Sequence, residues 1–239
     1  MQAILVRVIS LERSTERRAR VRHELTNFFL EWQFLNAVDG FALKALPKSY
    51  NQEKVKRLQG HSLTLGEIGC YLSHLSAWEQ CVQENKPMLV FEDDFILGPQ
   101  MEAVITDLMA CRSLWGVVRL SGIHETKDSA VKESSLYRLT INNGDACGTA
   151  CYLIQPEAAQ TLIKHSVEVY EAVDHFMEHF SKHGVRIYAA KPYPVGLSHS
   201  KSTIVDRSDK QAVVGVKKLI RSMYRTLDRF TSSNPWFPK

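Results

Sequence analysis

Three consecutive carboxylates, Glu92, Asp93 and Asp94, stand directly behind the apolar run Met88-Leu89-Val90-Phe91. A short run that is apolar throughout is typical of a strand buried on both faces. In open α/β sheets, ligands sit beyond the carboxyl ends of such strands. In extended backbone Glu92 and Asp94 point to one side and Asp93 to the other, so the alternate pair can share a divalent cation while the middle residue orients a ligand hydroxyl. Three adjacent acids repel one another; a hard cation offsets that repulsion and neutralises charge gathering on a diphosphate. A solvated acidic turn is the plainer reading of a triplet alone, and the preceding buried strand is what favours a site.

Two histidine features bear on metal chemistry as well. His199, in Pro194-Val195-Gly196-Leu197-Ser198-His199-Ser200, follows the last predicted strand and can complete a cation's coordination opposite Asp94, although a lone loop histidine is often a surface residue. Ser198, Ser200, Lys201 and Ser202 surround it with hydroxyls and a cation, a composition suited to gripping a diphosphate or simply to a polar loop. His175-Phe176-Met177-Glu178-His179 matches the H-x-x-E-H pattern of inverted zinc peptidases, with two histidines at i and i+4. That rival also needs a distant carboxylate ligand, and the sequence offers no identifiable one.

The elements that must position these residues alternate between strand and helix. Ile4–Leu11 reads as a strand, and Ser14-Thr15-Glu16 opens a charged helix reaching Asn27. Glu31–Val38 reads as a second strand closed by the turn Asp39-Gly40, and the stretch to Gly60 as loop and short helix. Thr64-Leu65-Gly66-Glu67 fits a capping box, and the helix it starts runs to Asn85-Lys86-Pro87. Further strands are predicted at Val117–Ser121, Leu136–Ile141, Ala150–Ile154 and Val185–Ala189, with helices at Pro156–His165 and from Asp174 to His183, the latter ended by Gly184. The alternation favours an α/β fold.

With 239 residues and 44% hydrophobic content, the chain can bury the core of one such domain with a short appendage. No stretch approaches the roughly 20 apolar residues needed to cross a bilayer. The opening segment Met1–Ile9 lacks the features of a secretory signal, so a cytoplasmic location is expected. Five cysteines without a CxxC pair signal neither a disulfide framework nor a four-ligand zinc site. The net charge of +4 is uneven: residues 210–239 carry +6 and the remainder −2. Between Ala212 and Phe230, Val213, Val216, Ile220, Met223, Leu227 and Phe230 recur at helical spacing beside a stripe of Lys217, Arg221 and Arg225. This tail suits either a helix lying on an anionic membrane or one packed on the domain with a solvated basic face. No nucleic-acid recognition motif and no basic-aromatic platform is present.

An ordered set of segments resembles glycosyltransferase family 25, the group that includes lipooligosaccharide galactosyl- and glucosyltransferases. The segments are Val8-Ile9-Ser10-Leu11-Glu12-Arg13-Ser14 with Arg17, Asn36-Ala37-Val38-Asp39-Gly40, Leu65-Gly66-Glu67-Ile68-Gly69-Cys70 with Ser73-His74, Val90-Phe91-Glu92-Asp93-Asp94, Gly148–Ile154, Val173-Asp174-His175-Phe176 and Ser202-Thr203-Ile204. The resemblance spans residues 1–205. It departs from the family at Ser10, where Asn is common; Ser10 still donates and accepts hydrogen bonds.

The resemblance implies a GT-A-like Rossmann-type domain over residues 1–208 ahead of the basic helical tail 209–239. It further implies a UDP-sugar donor, a divalent metal (manganese or magnesium) and inversion at the anomeric carbon. Leu11, Arg13, Asp39, Glu67, His74, Glu92, Asp93 and Ser202 would lie at the donor, and Asp94 and His199 would hold the metal. His74 is equally explained by packing on its helix. An inverting transfer needs one group to remove the acceptor hydroxyl proton; Asp174 is the candidate, and it would also serve as the N-cap of its helix. The expected reaction moves a hexose, galactose ahead of glucose, onto a lipid-linked oligosaccharide acceptor of a lipooligosaccharide core. A zinc peptidase and a non-catalytic nucleotide-sugar-binding module are the rivals.

Overall fold

In the computed structural model, residues 4–124, 127–142 and 146–198 are described. The opening alternation becomes β1 (Leu5–Ser10), followed by α1 (Thr15–Glu24), β2 (Gln33–Asn36), α2 (Gln52–Gln59), α3 (Leu65–Glu84), β3 (Met88–Glu92) and β4 (Phe95–Leu97). Then come α4 (Met101–Ala110), β5 (Val117–Arg119), β6 (Asp128–Glu133), β7 (Arg138–Asn142) and β8 (Cys151–Ile154). The described chain ends through α5 (Pro156–His165), α6 (Val173–Glu178), α7 (Phe180–His183), β9 (Ile187–Lys191) and β10 (Val195–Leu197).

Eight of these strands form one sheet in the order β2-β1-β3-β8-β5-β9-β7-β6. β1 pairs in parallel with β2 and β3, and β8 enters antiparallel between β3 and β5. β9 runs parallel to β5, and β7 and β6 complete an antiparallel edge. The α/β class therefore stands: a parallel half beside a mixed half. β4 and β10 form a separate antiparallel ribbon.

β3 is apolar from Met88 to Phe91 because both of its faces are covered there. Met88 and Val90 join Trp78, Tyr71 and Phe176 on one side, and Leu89 and Phe91 join Val21, Ile105 and Leu108 on the other. Each such buried side chain contributes about 1.5–3 kcal/mol, so the strand that ends in the carboxylates is among the most firmly held. α3 carries the expected capping box between Thr64 and Glu67 and stops at Asn85 in left-handed conformation. The Asp39 turn lies directly on this helix: a Cβ at Gly40 would stand 1.8 Å from the Leu65 carbonyl oxygen, and one at Gly69 2.5 Å from that of Val38. Only glycine permits that approach.

Several local expectations are corrected. Ser14 occupies the N-cap of α1 but makes no side-chain capping bond among the described residues. The helix expected from Asp174 to His183 breaks at His179 into α6 and α7, with Gly184 closing the second piece. Ala172 is the N-cap of α6, so Asp174 lies within its first turn. The 210–239 tail and the boundary at residue 208 lie outside the described residues. Among the described residues no helix is long and apolar enough to cross a membrane.

Candidate active site

β3 ends at Glu92, and Asp93 and Asp94 occupy the turn into β4. The strict alternation of an extended strand therefore does not continue through the triplet. All three border one cleft, and Glu92 and Asp94 also border a second that adjoins it. Both clefts set convergent polar groups among apolar lining, the pattern of small-molecule sites.

The first cleft is walled by Ser10 at the end of β1, Leu11, Arg13, Arg17 on α1, Val38–Phe41 and the start of α3. Asp93 is buried; it accepts a hydrogen bond from Ser10 Oγ at 2.7 Å and pairs with Arg17 Nη1. Its carboxylate is thus already engaged, and its part is to hold α1 and the end of β1 around the cleft. At the mouth, Arg13 Nε donates to Asp39 Oδ2 at 2.7 Å. That bond holds the Asp39 carboxyl below the usual range.

Glu92 is held from behind. Trp78 Nε1–H donates to Tyr152 Oη at 3.0 Å, which leaves the Tyr152 proton for His74 Nδ1 at 2.8 Å. That His74 tautomer carries its own proton on Nε2, facing Glu92 Oε1 at 3.3 Å. Thr149 Oγ1 donates to the same oxygen. Burial by itself raises the Glu92 carboxyl, but the bonds from His74 and Thr149 and nearby positive charge outweigh it and leave it below the ordinary range. His74 is fully buried and lines neither cleft, so it acts through Glu92 and does not border the ligand space.

The second cleft is bordered by Glu67, Ser121–Ile123, Gly148–Ala150, Ala172–Asp174 and Leu197. Glu67, expected at the donor side, lies here, with Oε2 accepting from Thr64 N at 2.9 Å. Asp174 accepts from its neighbour His175 N at 2.9 Å and lies 3.4 Å from Gly148 N. Buried Arg119 clamps this region: one guanidinium nitrogen bonds the Gly148 carbonyl, and the other reaches the Asp174 carbonyl at 3.4 Å and pairs with Glu178 Oε1 at 3.0 Å. Thr149, Tyr152, Arg119 and Glu178 were absent from the expected site. Thr149 and Tyr152 fall in the Gly148–Ile154 segment; nothing local marks Arg119.

The donor set at the corner fits a divalent cation. Asp94 Oδ1 is buried without a hydrogen-bond partner among the described residues. Burial first, then the adjacent Glu92 charge, pushes the Asp94 carboxyl up to about 6. Such a group stays ionised most readily beside a positive charge. The Cys70 thiol, which borders both clefts, lies with the His74 and Glu92 ligand atoms inside a 4.8 Å cluster. The chain returns to this corner at Ser198, whose N–H donates to the Asp94 carbonyl at 2.7 Å. His199 and Ser202 lie outside the described residues.

Glu178 and His179 of the H-x-x-E-H segment are committed elsewhere. His179 ends α6 and its Nδ1 lies 2.9 Å from Glu171; Glu178 pairs with Arg119. The helix break removes the single face that two zinc-binding histidines would need.

The glycosyltransferase family 25 (LPS biosynthesis protein) model matches residues 3–177, and the chain belongs to this family. It is 30% identical over 166 residues to inactive glycosyltransferase 25 family member 3 of Mus musculus, covering 65% of this chain and 28% of that protein. It is 26% identical over 167 residues to the lipooligosaccharide biosynthesis protein lic2B of Haemophilus influenzae, covering 66% and 62%. Procollagen galactosyltransferase 1 of Danio rerio is 24% identical over 228 residues, covering 83% and 37%. The chain therefore spans less than two-fifths of these two animal relatives and less than two-thirds of the Haemophilus protein.

Proposed function

We propose that this chain is a metal-dependent, inverting hexosyltransferase that moves galactose from UDP-galactose onto a saccharide of a lipooligosaccharide core. One observation carries the reading: two clefts meet at Glu92 and Asp94, and the buried Asp94 oxygen there has no partner among the described residues. The names of the Haemophilus and zebrafish relatives support the acceptor class and the sugar respectively.

In this reading the first cleft takes the nucleotide and diphosphate, with Arg13, Asp39 and Leu11 at its mouth. The second takes the acceptor. Glu92 and Asp94, with His199 following Ser198 in the chain, would hold manganese or magnesium, which when bound neutralises negative charge on the diphosphate. Asp174 removes the acceptor hydroxyl proton as that oxygen bonds to the anomeric carbon. The bond from that carbon to the diphosphate oxygen breaks on the opposite side, and its electron pair leaves with UDP. Arg119 keeps Asp174 beside Gly148, and His74 and Thr149 keep Glu92 ionised.

The test is UDP release by the purified chain with UDP-galactose and UDP-glucose in parallel, with manganese or EDTA, across terminal galactose, glucose and N-acetylglucosamine acceptors. Manganese-dependent release stimulated by one acceptor with UDP-galactose is expected. A second reading, a binding module without turnover, draws support from the word inactive in the name of the mouse relative. It predicts donor-induced thermal stabilisation without release under any pairing. Absence of both release and stabilisation would refute both readings.

A further inference from the structure

A second set of metal-binding side chains stands at the edge of the acceptor-side cleft. Cys147 Sγ, the Asp174 carboxylate and a His175 ring nitrogen all lie within 4.8 Å of one another. They come from two segments far apart in sequence: the turn ahead of β8 and the first turn of α6.

Both segments are held in place by one buried group. Arg119 bonds the carbonyl of Gly148, reaches that of Asp174 at 3.4 Å and is itself paired with Glu178. Cys147 and Gly148 are successive left-handed residues, with φ of 51° and 79°. A non-glycine residue in that conformation is uncommon, and here it accompanies the approach of the Cys147 thiol to α6. Cys147 is 7% exposed, while His175 is exposed and opens the cluster to solvent.

The chemistry of this set differs from that of the Glu92–Asp94 corner. One sulfur, one nitrogen and one oxygen match the tetrahedral preference of zinc and leave a fourth position for water. Manganese and magnesium favour oxygen-rich sites. We propose that Cys147, Asp174 and His175 form a zinc site whose occupation takes the Asp174 carboxylate away from the acceptor, so that zinc inhibits transfer. On binding, the Cys147 thiol gives its proton to the buffer as the sulfur–zinc bond forms. The binding half rests on the cluster alone; the inhibitory half rests also on the proposed role of Asp174.

Cobalt(II) reports the binding half directly, because a thiolate ligand gives it a charge-transfer absorption in the near ultraviolet. The reduced full chain is titrated with cobalt and then with zinc. A thiolate band that zinc abolishes is expected in the wild type. Cys147→Ser should abolish the band, His175→Gln should weaken metal binding by at least about tenfold, and Cys70→Ser should leave the band unchanged. Absence of the band in the wild type would overturn the proposal. So would a band that survives Cys147→Ser and disappears in Cys70→Ser, since the metal would then sit with His74 and Glu92. In parallel, UDP release at fixed manganese should fall with added zinc in the wild type. Cys147→Ser should need at least about tenfold more zinc for the same loss, with its zinc-free rate unchanged. Equal zinc sensitivity in the two proteins would refute the inhibitory half. Wild-type protein without any transfer would count against the transferase reading, and the cobalt result would still decide the site.

Discussion

The two clefts that meet at Glu92 and Asp94 are built in opposite ways. The first gathers strand ends, two helices and the turns between them, with its polar groups already paired: Ser10 and Arg17 on Asp93, Arg13 on Asp39, and Ser73 Oγ accepting from Val38 N at 2.8 Å. The second is walled largely by the loops at 121–123 and 148–150, with Gly148 left-handed, and by the start of a six-residue helix, and it leans on the buried Arg119–Glu178 pair. A rigid scaffold carrying variable loops is how one fold serves many substrates. In the proposed reaction the constant part, the nucleotide diphosphate, would fall to the side of the parallel sheet and the variable part, the acceptor, to the loops.

The largest expected effect removes the feature both clefts share. Asp94→Asn should lower UDP release below about one-thousandth of the wild-type rate. Its melting temperature should not fall, because Asn removes the raised carboxyl and keeps the shape. Near-wild-type release would sink the assignment of Asp94. Asp174→Asn separates the clefts: kcat should fall between about a hundredfold and a thousandfold, while donor-induced thermal stabilisation stays intact. Loss of that stabilisation would place Asp174 on the donor side and dissolve the division.

This division was only partly legible in the sequence. α3 and β3 could be read because their signals are local: a capping box, a left-handed stop and an apolar run covered on both faces. The Asp39 turn was legible for the same reason. α4 was missed although Met101, Val104, Ile105 and Leu108, the residues it buries, recur at helical spacing. β4 and β10 have three residues each, too few for any period, and β6 is a largely exposed polar edge strand paired through an irregularity. The break at His179 depends on contacts to Glu171 and Arg119, eight or more positions away, which no local pattern reports. The carboxylate corner was found from its place after a buried strand. Thr149 and Tyr152, which hold the corner from behind, and Arg119, which clamps Gly148 and Asp174 in the second cleft, act through tertiary contacts and stayed hidden.

Acid should loosen the second cleft before the first. His183 is buried against Phe176 of α6; its Nδ1 accepts from Val185 N, and its Nε2 therefore carries the proton facing the Phe176 carbonyl. Burial lowers this histidine to about 4, against an ordinary value near 6.5. The unfolded chain thus binds the proton more readily. The stability His183 contributes is present above about pH 6.5 and is lost as pH falls toward 4. Between pH 7 and 5 this amounts to about 2 kcal/mol. The carboxyl of Asp39 in the first cleft is held low and stays ionised across that interval. Hydrogen exchange at pH 5 should therefore quicken in α6 and α7 ahead of β1 and α3, and His183→Gln should remove most of the pH dependence. Uniform quickening across both regions would contradict the comparison.

The smallest effect on stability is expected at the mouth of the first cleft. The Arg13 side chain is 59% exposed, and its bond to Asp39 is open to solvent. Exposed pairs of this kind add little to stability because water and salt screen them. Arg13→Ala should therefore leave the melting temperature unchanged. Its cost should appear in ligand binding, where a guanidinium at the rim of a nucleotide cleft meets negative charge. The KM for the UDP-sugar should rise by up to about tenfold and more steeply at low salt, while the KM for the acceptor stays the same. Equal changes in both constants would mean that the clefts are energetically one site. An unchanged donor KM would mean that Arg13 serves only to fix the Asp39 turn on α3.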